Sequence, residues 1–168
     1  MTIILRHEKH ADVCAIADLT SAAFMEADHS SHTEQFIVNA LRLAGALHLS
    51  YVAEQNGILL GHAAISPVTI SDGSTGWYGL APVSVLPSHH RQGIGSRLIR
   101  QLLAELQQNS AAGCVVLGSP DYYGRFGFKT QPQLTLPGVP AEYFQALAFD
   151  TELPQGNVAF HHAFNAEA

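Results

Sequence analysis

Residues 89–99 read HHRQGIGSRLI. Gly93 and Gly95 stand one residue apart, behind side chains that donate hydrogen bonds and at the start of an apolar helical pattern. Glycine costs roughly 0.5–1 kcal/mol of backbone entropy in a helix, so the pair indicates that the main chain itself must approach something closely. The N–H groups of a first helical turn converge on one point, and the macrodipole adds about half a positive charge there, so a phosphate fits. His89, His90, Arg91 and Arg97 supply further donors and charge around the same point.

Three phosphate-binding designs compete. A Walker loop needs G-x-x-x-x-G-K-[ST], and no glycine here precedes a lysine. A dinucleotide fingerprint needs a third glycine where this chain has Leu98, and a βαβ unit where this chain has consecutive strands. Both fail on spacing, which leaves a loop of the third kind, described below.

The elements that must position this loop are legible in outline. Ile3-Ile4-Leu5 predicts a short first strand, followed by a helix over 11–24 and a second carrying Phe36, Ile37, Ala40, Leu41 and Ala44, closing near Gly45. Thr33 or Ser31 is suited to cap that second helix. Runs over 49–54 and 58–70, joined at Gln-Asn-Gly, and a third over 77–86 predict an antiparallel meander. Beyond the glycine pair, Ile94, Leu98, Ile99, Leu102, Leu103 and Leu106 form one helical stripe. The run CVVLG reads as a strand buried on both faces in a parallel part of the sheet. A short helical turn, another strand, a helical snippet over 142–147 and a last strand near 158–164 complete the pattern.

Composition bounds the answer. The 168 residues, 47% apolar and 13% charged, suit one domain over 1–168 with a single core that buries roughly two thirds of its unfolded surface. A formal charge of -6 argues against a nucleic-acid partner. The first residues hold no apolar run long enough for a signal core or membrane span, and Cys14 and Cys114 lack CxxC spacing. A cytoplasmic protein with reduced thiols is expected. The ten histidines, among them His29, His32, His89, His90, His161 and His162, lack acidic or thiol partners at supporting spacing, so no metal is expected.

The stretch from Leu80 to Leu103, LAPVSVLPSHHRQGIGSRLIRQLL, resembles the strand, phosphate loop and helix of the GCN5-related N-acetyltransferases, whose R/Q-x-x-G-x-G/A loop cradles the pyrophosphate of coenzyme A. The segment DYYGRFGFK, residues 121–129, resembles the one that closes the acyl-CoA site, and the likeness runs from about Ile3 to Lys129, nearest to the YhbS-like branch. The chain departs from the pattern at its first position, where His90 replaces Gln or Arg. The resemblance implies a mixed, mostly antiparallel sheet flanked by helices, an α/β fold. It also implies acetyl-CoA as cosubstrate, held by main-chain groups of Val83, Ser84 and Val85 at the pantetheine arm. Arg91, Gln92, Gly93, Ile94, Gly95 and Ser96 would hold the pyrophosphate.

By the same resemblance, Tyr123 is the expected acid for the departing thiolate, the other reading being a phenol that fills the gap beside the cofactor, and Tyr122 is the adjacent alternative, better suited to packing; a phenol stays protonated at neutral pH and can donate. Glu34, His62 and Ser84 are candidates for a general base. Glu34 equally suits a solvated helix start and His62 a satisfied sheet histidine. Cys114, in a buried strand, is expected to be inert. The activity so implied is acetyl transfer to a primary amine by direct attack in a ternary complex, with a non-catalytic acyl-CoA sensor as the alternative. A homodimer is a family-level expectation, and residues 24–34 and 134–149 are the expected walls of the acceptor pocket.

Overall fold

The computed structural model describes residues 2–25, 27 and 30–168; His29, Asp28 and Glu26, in the link between the first two helices, lie outside the described residues. Strand β1 (Ile4–His7) leads into α1 (Val13–Phe24) and α2 (Glu34–Leu43). Arg6 fixes that opening by gripping Asp12 at 2.7 and 3.1 Å while also reaching Glu54 at 3.1 Å. The carboxylate of Asp12 takes the Lys9 N–H as well, so β1, the turn into α1 and the next strand share one charged knot. Neither expected side chain caps α2. Thr33 hydrogen-bonds Ser31 instead, and its carbonyl accepts the Phe36 and Ile37 N–H groups.

The meander forms as expected. Strands β2 (Leu49–Gln55), β3 (Ile58–Ile70) and β4 (Trp77–Val85) run antiparallel in succession. Asn56 and Gly57 both take positive φ, 54° and 81°, at the first turn, the conformation for which that dipeptide is suited. Then α3 (Ile94–Gln108) buries all six of its stripe residues against the sheet. At about 1.5–3 kcal/mol each, those side chains contribute roughly 9–18 kcal/mol of gross burial energy and fix the helix on this face. On the opposite face α1 and α2 pack Ile16, Leu19 and Val38 against Val52 and Leu59.

The rest of the sheet differs from expectation toward the C-terminus. Strand β5 (Gly113–Leu117) lies parallel to β4, and after α4 (Pro120–Tyr123) comes the short β6 (Leu134–Thr135). The segment expected as a helical snippet is a 3-10 turn at Ala141–Tyr143 followed by β7 (Phe144–Ala148), antiparallel to β5. Its apolar residues fill the sheet edge beside β5, and tertiary pairing outweighs a short local helical pattern. The last strand, β8 (Gly156–Phe160), ends earlier than expected and turns into a 3-10 segment at His162–Asn165. The order is β1-β2-β3-β4-β5-β7, with β8 pairing the far half of β3 and also β6. This is a mixed, mostly antiparallel α/β sheet between helices.

Two irregularities in β4 matter most. Its pairing with β5 covers only Trp77–Gly79 against Gly113–Val115, so the two parallel strands diverge and the β4 edge over residues 80–85 faces β5 without a ladder partner among the described residues. On its other edge the register runs Ile65↔Leu80 and then Ala63↔Val83, so Ala81 and Pro82 together oppose Ala64 in a β-bulge. The extra residue inverts the side-chain alternation. Leu80, Val83 and Val85 therefore share the α3 face, and Ser84 points to the α1 face.

Candidate active site

The divergence of β4 and β5 makes a V, and α3 starts at its mouth. Gly93, at the N-cap of α3, has φ 79° and ψ 9°, a left-handed conformation, and no side chain caps the helix. Its first-turn N–H groups therefore stay available to a ligand. A Cβ on Gly93 would meet nothing, so this glycine serves the positive φ. Gly95 serves space: a Cβ there would lie 3.0 Å from the Tyr122 hydroxyl and 3.7 Å from Val85. Arg91 also takes positive φ, 64°, which turns the loop tightly before the helix.

His90 has a definite role. Its Nε2 donates to the Val85 carbonyl at 2.9 Å and so staples the loop to the end of β4. The residue that departs from the expected pattern thus anchors the loop.

A cavity of about 610 Å³ runs from the loop into the V, lined by Val83, Val85, His89, His90, Arg91, Gly93, Ile94, Gly95, Ser96, Tyr122, Tyr123 and Arg125. No carboxylate is among them, so the wall is locally cationic on a chain with net charge -6. Of the residues singled out from sequence, Gln92 is exposed and Ser84 buried, and neither lines the cavity. Arg125 is an addition. Its guanidinium lies 4.4 Å from the Tyr122 ring centroid, with Nε on the Tyr122 carbonyl at 3.2 Å, which aims it at the cavity from the far wall.

Tyr123 reaches the cavity from α4, packed edge-on against Tyr122 (5.0 Å between centroids) and Phe128 (6.1 Å). Gly118 makes its place, because a Cβ there would fall 2.4 Å from the Tyr123 ring. Burial, with smaller contributions from Tyr122 and Cys114, pushes the Tyr123 phenol up to about 12, so it holds its proton throughout the neutral range. Cys114 is fully buried and burial pushes its thiol up, which leaves it inert as expected, while Cys14 is exposed and also free.

A second set of polar groups lies on the opposite face. His62, fully buried, pairs across the ladder with Ser84, so their side chains emerge together on the α1 side. The His62 Nε2 is 2.8 Å from Ser50 Oγ, Ser50 donates to Glu8 in a short hydrogen bond, and Glu8 accepts two hydrogen bonds from Arg42 at 2.9 Å. Burial favours the neutral form of Glu8, but the hydrogen bonds from Arg42 and Ser50 outweigh it and hold the carboxyl below its ordinary range. Burial also pulls the imidazole of His62 down to about 4, so it is neutral. His62 is therefore not the satisfied sheet histidine of the alternative reading: Nδ1 has no partner, and neither has Ser84 Oγ. Glu8 has no local sequence signal, because only register and α2 bring it to this chain of bonds.

Glu34 does not join either set; Ser30 Oγ donates to it at 2.6 Å in the first turn of α2. Among the described residues no group of three or more His, Cys, Asp or Glu could hold a metal, and no helix is long and apolar enough to cross a membrane. Leu134, Phe144 and Ala146, within one expected acceptor wall, are buried in a satellite core with Trp77 and Val115.

Residues 5–130, which hold both the split parallel pair and the glycine-built loop at its mouth, match the family model described as "Acetyltransferase (GNAT) domain". The chain belongs to the GNAT acetyltransferase family. It is 31% identical over 150 residues to the N-acetyltransferase YhbS of Escherichia coli K12, covering 85% of this chain and 90% of that protein. Among solved structures, a GNAT family acetyltransferase from Brucella melitensis in complex with acetyl-CoA is 48% identical with a TM-score of 0.88, covering 97% of this chain and 98% of that one. Escherichia coli YhbS in complex with CoA superposes with a TM-score of 0.89 at 29% identity, covering 99% and 93%.

Proposed function

We propose that this chain, acting as one domain over 1–168 in the cytoplasm, transfers the acetyl group of acetyl-CoA to a primary amine by direct attack in a ternary complex. One observation carries the reading: the unpaired β4 edge, the uncapped start of α3 and Tyr123 all border one cavity. That cavity suits a ligand with a phosphate at one end and a peptide-like arm at the other. The complexes of the Brucella melitensis relative with acetyl-CoA and of YhbS with CoA support the choice of ligand.

In this reading the first-turn N–H groups of Ile94, Gly95 and Ser96 bind the pyrophosphate, with Arg91 and Arg125 adding charge. Main-chain groups of Val83 to Val85 pair with the pantetheine arm as an added strand. Backbone N–H at that edge polarises the thioester carbonyl as the amine attacks. Tyr123 then donates its proton to the departing sulfur.

Isothermal titration with acetyl-CoA and with coenzyme A, followed by thiol release across amines, tests the reading. Micromolar binding with amine-dependent release is expected. Binding without release would favour an acyl-CoA sensor instead, and absence of binding would defeat the site assignment.

A further inference from the structure

The hydrogen bonds behind His62 determine where its proton sits. Glu8, ionised and held by Arg42, can only accept, so the single proton of the Ser50 hydroxyl points to Glu8. Ser50 Oγ must then accept at its other side, and its neighbour there, His62 Nε2 at 2.8 Å, must donate. A neutral imidazole carries one proton. Hence Nδ1 is bare, a lone pair buried with no partner, on the same face as a serine hydroxyl that also lacks one. Two such unpaired groups side by side in a folded interior call for a reason beyond packing.

Their position supplies one. Ser84 lies between Val83 and Val85, whose side chains line the cofactor cavity, so it is the group that β4 presents to the other face at the level of the acyl group. Its hydroxyl is buried there and unpaired, beside its ladder partner His62. The bulge at Ala81 and Pro82 is what turns Ser84 to this face.

We propose that His62 is the proton acceptor of the reaction, reached through Ser84 and held in its active tautomer by Ser50 and Glu8. The inference rests on the transferase reading above. As the amine nitrogen bonds to the acyl carbon it loses its proton to Ser84 Oγ, and Ser84 gives its own to His62 Nδ1. The carbon–sulfur bond breaks with its electron pair on sulfur, which takes the Tyr123 proton. The imidazolium faces the Glu8 carboxylate across Ser50, and once product leaves it returns its proton by way of Ser84 to solvent while Tyr123 regains one. Ser50 and Glu8 are positioning residues.

The decisive spectrum is that of the imidazole ring nitrogens in the full-length protein saturated with acetyl-CoA at neutral pH. His62 should show a protonated Nε2 and a bare Nδ1. The opposite tautomer, or a charged ring, overturns the assignment whatever the acceptor. Turnover is then read as thiol release with spermidine, tobramycin and a lysine peptide as acceptors. His62→Gln keeps a donor for Ser50 but places no base at Nδ1, so kcat should fall about 100-fold with the Kd for acetyl-CoA changed less than twofold. Ser84→Ala should fall as far, and the double variant no further, because the two act as a unit.

Wild-type release with an unchanged His62→Gln rate, or a loss that tracks Kd, overturns the relay alone. Acetyl-CoA binding without any amine-dependent release in the wild type overturns the transferase reading and the relay with it. Should His62→Gln not fold, Ser84→Ala and the wild-type spectrum still decide.

Discussion

The two faces of β4 present chemistry by opposite means. On the α3 side the site is backbone, glycine and a few residues from two contiguous stretches, Val83 to Ser96 and Tyr122 to Arg125. On the α1 side four side chains meet: Ser50, His62 and Ser84 from β2, β3 and β4, and Glu8 from just after β1. An open cationic cavity faces one way, and a closed chain of hydrogen bonds ending in an unpaired nitrogen faces the other. A site made of main chain is written locally, because one loop must carry every conformation it needs. A site made of side chains is written in strand register, which no short window shows.

The largest effect should come from breaking the backbone side. Gly95→Val puts a branched side chain where even a Cβ would stand 3.0 Å from the Tyr122 hydroxyl. Acetyl-CoA affinity by titration should fall by about 100-fold or more, roughly 3 kcal/mol. Tyr123→Phe leaves that wall in place and removes one proton, so kcat should drop about 100-fold while the Kd for coenzyme A stays within about twofold. Equal losses in both would make Tyr123 a packing residue.

The buried side should reveal itself through pH. Unfolded, His62 takes a proton near 6.5; folded, it does so only near 4. Between those values the unfolded chain binds the extra proton, so stability falls as pH falls through that window, by a total of roughly 3 kcal/mol. Thermal unfolding should show Tm dropping by about 6–12 °C from pH 6.5 to 4, and His62→Gln should flatten that slope. An equal slope in the variant would assign the acid lability to other groups. The smallest effect belongs to His90→Ala, which removes one exposed hydrogen bond to Val85. It should weaken acetyl-CoA binding at most about tenfold, with His90→Gln recovering most of the loss.

The same contrast explains how much was legible beforehand. The meander, the α3 stripe and the glycine loop follow from periodicity and turn chemistry, and the structure has them. Tyr123 follows from its place in YGRFGF, and it lies in the cavity. The face of Ser84 could not be read by counting from Leu80, because the bulge adds a residue; Pro82 inside an apolar run was the available signal, since proline within a sheet marks a bulge or an edge. Residues 144–148 form a strand for a related reason: so short a stretch, apolar but for Gln145, has no period of its own, and the vacant edge of β5 decides it. Arg125 comes to the wall through its contacts with Tyr122, which spacing does not encode.

The short pairing of β4 with β5 has a mechanical meaning. Gly113 lets the Trp77 ring lie against the strand, where a Cβ would be only 2.5 Å from it, so these three rungs form a stiff pivot at the closed end of the V. From there β4 leaves β5 while β3 keeps it paired as far as Val85, so over residues 80–85, about 20 Å at the usual rise per residue, only its β5-facing edge is open. Trp77 and Gly113 therefore set where the V begins, at the opposite end of the strand from the loop at its mouth.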